Sequence, residues 1–130
     1  MHPASPPELD LYAQAQAAAV HAYAPYSRFA VGAALQPEGG LEPVTGVNVE
    51  NASYGMTLCA ERNAVFAAVT AGYRRFDAIA VHADADSAPP CGACRQVLAE
   101  FSPEITVIFR RGGGLVAAVL DELLPERFRL

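Results

Sequence analysis

The sequence predicts an α/β chain, a three-layer α-β-α sandwich around one mixed five-stranded sheet. Three observations carry that reading. Helix-like and strand-like segments alternate in the order α-β-β-α-β-α-β-β, which calls for one mixed sheet with helices on both faces. The chain has 130 residues, enough for one domain spanning 1–130 and too few for a second. It is 52% hydrophobic and 18% charged, the balance of a globular chain rather than a disordered one.

The elements follow in order. Glu8 to Ala22 lacks Gly and Pro and places Leu9, Ala13, Ala17 and Val20 near helical spacing. Pro25 ends it, and a turn through Tyr26-Ser27 leads to a strand over Phe29 to Leu35. Pro37 to Pro43 holds two Pro and two Gly, a surface hairpin, and a second strand runs from Val44 to Val49. Asn51 to Thr57 is a polar loop. Cys59 to Ala71 is an alanine-rich buried helix with Gly72 as its stop. Thr57 is a candidate N-cap, although Ala60 three residues on leaves a capping box incomplete.

A third strand covers Phe76 to Ala83, and a loop covers Asp84 to Pro90. A short helix runs from Gly92 to Phe101 and stops before Pro103. Ile105 to Phe109 is nearly all apolar and therefore central. Gly112 to Gly114 turns the chain into a fifth strand, Leu115 to Val119, and Asp121 to Leu124 closes with a helical segment. The triple glycine lacks the Lys-Ser/Thr of a phosphate loop, so it reads as a hairpin turn.

Charge narrows the function. Fourteen acidic residues against nine basic ones give a formal net charge of -5, and every basic residue is Arg. Arg74-Arg75 and Arg110-Arg111 are the only adjacent pairs, too little for a nucleic-acid stripe. No apolar run approaches the roughly 18 residues of a membrane span. The acidic, proline-rich start, Met1 to Asp10, lacks the pattern of a signal peptide. A small neutral ligand, no nucleic acid, no membrane and a cytoplasmic location are the expectation.

The cysteines are Cys59, Cys91 and Cys94, an odd number that cannot pair completely within one chain. Two segments hold them, Cys59-Ala60-Glu61 and Pro90-Cys91-Gly92-Ala93-Cys94, and each opens a predicted helix. Spacing of three puts Cys91 and Cys94 on one side of a first turn. Helix N-termini favour thiolates. Two such starts aimed at one point would give Zn2+ three protein ligands and leave its fourth position open, the arrangement of a catalytic site.

Three thiolates on one Zn2+ leave an excess negative charge. Arg62 and Arg95, each beside this pair of segments, could donate to a ligand sulfur and draw charge away. Glu61 lies two residues from Cys59, so it points away from the ligand direction and can act on protons instead. The pattern resembles that of zinc deaminases, His-x-Glu followed by Pro-Cys-x-x-Cys, in its all-cysteine form. A redox dithiol would leave Cys59 and Glu61 without a role. A structural zinc site would want a fourth Cys or His, and His2, His21 and His82 form no paired ligand motif.

Longer segments resemble the small homotetrameric cytidine deaminases across nearly the whole chain. They are Tyr26 to Ala34, Gly46 to Gly55 continuing into Cys59-Ala60-Glu61-Arg62, Pro90 to Gln96, and Leu123-Leu124-Pro125 with Phe128. The resemblance implies a cytidine deaminase-like fold with one Zn2+ per subunit. It implies hydrolytic deamination of cytidine and 2′-deoxycytidine, with Glu61 as the catalytic acid and base. Asn48 and Glu50 would hold the ribose, mainly its 3′-hydroxyl. Phe29 would stack on the pyrimidine, and the Ala60 backbone would contact it. Phe128, with Ala52 and Tyr54, would complete a neighbouring subunit's site, which implies a homo-oligomer, a tetramer by resemblance. The sequence departs from the family's pattern at Ala30, where Pro is usual, and at Pro89, where a polar residue is common. Deamination of nucleoside-like antibiotics or of polynucleotide cytosine, and a non-catalytic zinc module, are the competing expectations.

Overall fold

A computed structural model describes residues 1–130. Six strands form one sheet: β1 (His2–Pro3), β2 (Val31–Pro37), β3 (Val44–Val47), β4 (Phe76–Ala83), β5 (Thr106–Arg111) and β6 (Gly114–Val119). Their order is β1-β6-β5-β4-β2-β3, with β4 and β5 parallel and every other pair antiparallel. The sheet is therefore mixed as expected, but it has six strands rather than five. The extra one is a two-residue edge strand on β6, too short to show a period-2 pattern.

Alternation along the strands makes the three layers. Ala33 and Leu35 of β2, Ile79 and Val81 of β4, Val107 and Phe109 of β5, and Ala118 of β6 face one core. That core is closed by α2 (Ala60–Thr70), α3 (Gly92–Phe101) and the short α4 (Leu120–Leu123). Ala34, Ala80, Ile108 and Ala117 point the other way, where Leu11, Tyr12 and Ala15 of α1 (Pro6–Ala18) cover them. Three alanines on that face let one helix lie close to the sheet.

Boundaries moved where local chemistry was missed. The first helix begins at Pro6, because Ser5 caps it with its N–H donating to Glu8 Oε1 at 2.8 Å. Its last residues tighten into a 3-10 turn, Ala19–His21. Phe29 and Ala30 precede β2 rather than belonging to it. Thr57 is not the cap of α2. Cys59 holds that position, and Thr57 Oγ1 accepts from Asn51 N instead.

Two glycines set the placement of α2. Gly72, at φ +102°, follows the helix in the left-handed region. Gly72 N then donates to Val69 O and Tyr73 N to Ala68 O, the paired bonds of a Schellman stop. Gly46 of β3 lies against the first turns of α2. A Cβ there would sit 2.4 Å from Ala64 N and 2.6 Å from Ala60 O. The absent side chain lets the helix backbone rest on the strand, and Asn63 Nδ2 donates to Val47 O at 2.8 Å across the same seam.

Candidate active site

The site forms where two helix starts meet beyond the carboxyl end of β4, the usual place for ligands in open α/β sheets. Cys59 is the N-cap of α2 and Cys91 the N-cap of α3. Cys94 lies at the third helical position, so its sulfur returns to the side of the Cys91 sulfur. The Sγ atoms of Cys59 and Cys91 are 4.0 Å apart, those of Cys91 and Cys94 3.5 Å, and all three lie within 4.8 Å of one another.

This donor set fits zinc. Zn–S bonds of about 2.3 Å in a tetrahedron space the sulfurs by roughly 3.8 Å, close to what the chain already holds. No fourth Cys, His, Asp or Glu belongs to the cluster. Cys59, Cys91 and Cys94 would hold the ion, and the set supplies three soft donors. His82 lies elsewhere, with Nδ1 2.6 Å from Tyr12 Oη on the α1 side of the sheet.

Arg62 and Cys59 are three positions apart on the first turn of α2, and Arg62 Nη2 donates to Cys59 Sγ at 3.2 Å. Hydrogen bonding from the Cys94 thiol, joined by Arg62, lowers the Cys59 pKa to about 5, against the pull of burial. Cys94 is buried and shifted the opposite way, chiefly by its hydrogen bond with Cys59. Arg95 does not reach a sulfur. Its Nε donates to Pro90 O at 2.8 Å and its Nη1 to Leu123 O at 2.7 Å. It pins the peptide before Cys91 to the end of α4, so its influence on the cluster runs through the backbone.

Glu61 is 5% exposed and lies outside the sulfur cluster. Burial first, and the Cys59 charge after it, push its carboxyl above the ordinary range. A cleft of about 400 Å³ opens beside it, lined by Phe29, Asn48, Glu50, Ala60, Glu61 and Cys91 among others. Phe29 is 45% exposed into this space. Asn48 and Glu50 are each 8% exposed, well hidden for polar side chains.

Backbone pairing explains how those two residues meet the sulfurs. Val49, between them, bridges Tyr23 on one side and Leu58 on the other. Val49 and Leu58 exchange N–H donors at 3.0 Å, which draws the base of the Asn51 to Thr57 loop tight beside Cys59. The Asn48 side chain is partly used inside the chain, with Oδ1 accepting from Val31 N at 2.9 Å and Nδ2 donating to Phe29 O at 2.7 Å. One N–H of its amide remains for a ligand.

The remaining sequence candidates lie at the rim or beyond it. Ala52 and Tyr54 border an adjoining hollow of about 580 Å³ that also touches Cys59 and Arg62. Tyr54 is 92% exposed. Phe128 is 72% exposed, does not line the cleft of its own chain, and accepts Gln96 Nε2 at its carbonyl. Sequence reasoning missed the wall formed by Ser87, Ala88 and Pro89. No local pattern marks it. Its position depends on backbone bonds from Ala88 N to Arg110 O and from Gly113 N to Asp86 O, between segments distant in sequence.

Residues 7–110 match the family model described as the cytidine and deoxycytidylate deaminase zinc-binding region. The chain belongs to this deaminase family. A cytidine deaminase of Halalkalibacterium halodurans is 51% identical over 110 residues, which cover 82% of this chain and 83% of that protein. One from Mycobacterium tuberculosis is 46% identical over 132 residues, covering 93% and 98%. The crystal structure of a cytidine deaminase from Burkholderia pseudomallei superposes with a TM-score of 0.86 at 46% identity, over 92% of this chain and 98% of that one. The fold is the deaminase fold, the chain is a hydrolytic enzyme of that family with its zinc-binding region, and the three clustered cysteines are the group able to hold that metal. No helix is long and apolar enough to cross a membrane.

Proposed function

We propose that the chain hydrolyses the 4-amino group of free cytidine and 2′-deoxycytidine, giving uridine or 2′-deoxyuridine and ammonia. One observation carries this reading: a buried carboxylate, Glu61, borders a nucleoside-sized cleft beside three clustered thiols. Cys59, Cys91 and Cys94 would hold one zinc ion per chain. Zinc bound there supplies the Lewis acidity that makes a water nucleophilic near neutral pH.

The chain's own residues do the rest. Phe29 lies against the pyrimidine, and the Ala60 backbone meets its edge. Asn48 and Glu50 take the sugar. Glu61 removes a proton from the attacking water and delivers it to N3, which makes C4 electrophilic. The C4–O bond forms, Glu61 carries the second proton to the exocyclic nitrogen, the C4–N bond breaks, and ammonia leaves. One carboxylate thus serves as base and then as acid.

The chain acts as one domain and as a cytoplasmic homo-oligomer, with four copies by family likeness. The exposure of Phe128 and Tyr54 supports their completing a neighbour's site. The substrate is a free nucleoside, since the net charge of -5 and the Glu50 carboxylate in the cleft disfavour a polynucleotide.

The test is uridine formation by the zinc-loaded protein, with cytidine 5′-monophosphate and a cytosine-containing oligonucleotide in parallel. Cytidine alone should be converted. Glu61→Ala should keep its zinc and lose at least about a hundredfold in kcat. Normal turnover by that variant, or conversion of the oligonucleotide in preference to cytidine, refutes the reading.

A further inference from the structure

Glu50 faces the cleft, yet most of its carboxylate is already engaged by its own chain. Oε1 accepts from Tyr26 N at 2.9 Å and from Ser27 N at 3.0 Å. Oε2 accepts from the Ser27 hydroxyl. A carboxylate offers about four lone-pair positions, so one remains, and it is on Oε2. These bonds, the Ser27 hydroxyl first among them, hold the Glu50 carboxyl below the usual carboxylate range. The group is therefore ionised near neutrality and can only accept.

The Ser27 hydroxyl has a second contact, accepting from Phe29 N at 3.0 Å. Between the two lies Arg28 at φ +58°, a left-handed conformation that a side-chain-bearing residue keeps only when its surroundings hold it. Arg28 N closes the turn on Ala24 O at 2.9 Å. The segment before β2 is thus a strained turn fastened to the Glu50 carboxylate by the Tyr26 and Ser27 N–H groups and by the Ser27 hydroxyl, the one side chain among the three donors.

We infer that Ser27 is a positioning residue for sugar recognition, aiming the single free acceptor of Glu50 at one hydroxyl. The inference rests on the nucleoside reading given above. Its hydroxyl proton is committed to Glu50, so Ser27 does not itself donate to the sugar. One acceptor reads one hydroxyl. Ribose and 2′-deoxyribose, which share the 3′-hydroxyl, are equivalent to this carboxylate, and a sugar without that group is not.

The experiment is steady-state kinetics of the full-length, zinc-loaded protein on cytidine, 2′-deoxycytidine and 2′,3′-dideoxycytidine. Ser27→Ala should lower kcat/KM on the first two by about tenfold to a hundredfold, mainly through KM, as expected for losing a hydrogen bond to a charged group. On the dideoxy substrate the same variant should lose no more than about threefold. Ser27→Thr, which keeps the hydroxyl, should stay within about threefold of the parent on all three. Equal losses on all three substrates would mean that Ser27 acts through Phe29 or the fold, and would overturn the inference, as would no loss on any. A parent protein inactive on every cytosine nucleoside sinks the nucleoside reading and this one with it. An active parent whose variant loses equally everywhere sinks only the role of Ser27.

Discussion

Gly46→Ala isolates the seam that places α2 and, with it, Cys59 and Glu61. The added Cβ would stand 2.4 Å from Ala64 N, 2.6 Å from Ala60 O and 2.9 Å from Ala64 Cα. Ordinary heavy-atom contacts lie near 3.5–4.0 Å, so helix and strand must part by about 1 Å. All three obstructing atoms are backbone, and no side chain can swing aside. Overpacking of this kind costs about 1–3 kcal/mol, and the absence of a soft neighbour favours the upper part of that range.

A 1 Å displacement of catalytic groups can also cost about a hundredfold in rate. The assay pairs urea unfolding with kcat/KM and zinc content for Gly46→Ala and, as a control, Gly114→Ala. The nearest atom to a Cβ at Gly114 is Arg111 O at 3.9 Å, an ordinary contact. The first variant should lose about 2–3 kcal/mol and most of its activity. The control should stay within about 0.5 kcal/mol of the parent. A Gly46→Ala protein as stable and active as the parent would show that α2 does not rest on β3 as closely as the structure has it.

Two further outcomes follow from named contacts. Arg62→Gln removes the cation donating to Cys59 Sγ and should cost about 10–100-fold in zinc affinity or kcat, read by chelator competition and initial rates; unchanged values in both would dismiss the contact. His82, held on Tyr12, is shifted below the ordinary histidine range by burial first and Arg110 after it, against the opposing pull of Asp84. Below about pH 6.5 the unfolded chain therefore takes up a proton at this residue before the folded one does. Stability from His82 is complete above that pH and declines as pH falls toward the depressed folded value. Urea midpoints should drop more between pH 7.5 and pH 5.5 in the parent than in His82→Gln, and parallel curves would assign the acid sensitivity to other groups.

What was legible in the sequence, and what was not, divides by how far apart the causes lie. The two halves of the sulfur cluster could be read because each is local, while their meeting across 32 residues depends on the packing of α2 and α3. Cys59-Ala60-Glu61 and Cys91 to Cys94 each fix their side-chain directions within one helical turn, and Arg62 reaches Cys59 by the same three-residue rule. The strands β4 and β5 were legible for a similar reason, as short apolar runs, whereas the division of Ile79, Val81 and Val107 to one core and Ala80 and Ile108 to the other is seen only in the folded sheet. Arg95 shows where that logic fails. Its place beside Cys94 suggested a sulfur contact, but Leu123 O supplies a better acceptor from 28 residues away, and only the docking of α4 on α3 brings it there. The edge strand at His2–Pro3 is likewise invisible locally, because its only cause is the open side of β6.

The sugar end of the cleft falls between these cases. Asn48 and Glu50 both line the cleft, but the sequence could not say how much of each side chain the fold had already used. Asn48 spends one donor and one acceptor position on the backbone of Phe29 and Val31. Glu50 spends three of about four acceptor positions on Tyr26 and Ser27. The capacity left over is what can select a ligand, and it is set by the backbone groups of Tyr26, Ser27, Phe29 and Val31 and by the Ser27 hydroxyl as much as by the identity of either residue. A site read from residue types alone therefore overstates its hydrogen-bonding capacity, whereas the folded chain leaves one donor and one acceptor position on the Asn48 amide and one lone pair on the Glu50 carboxylate.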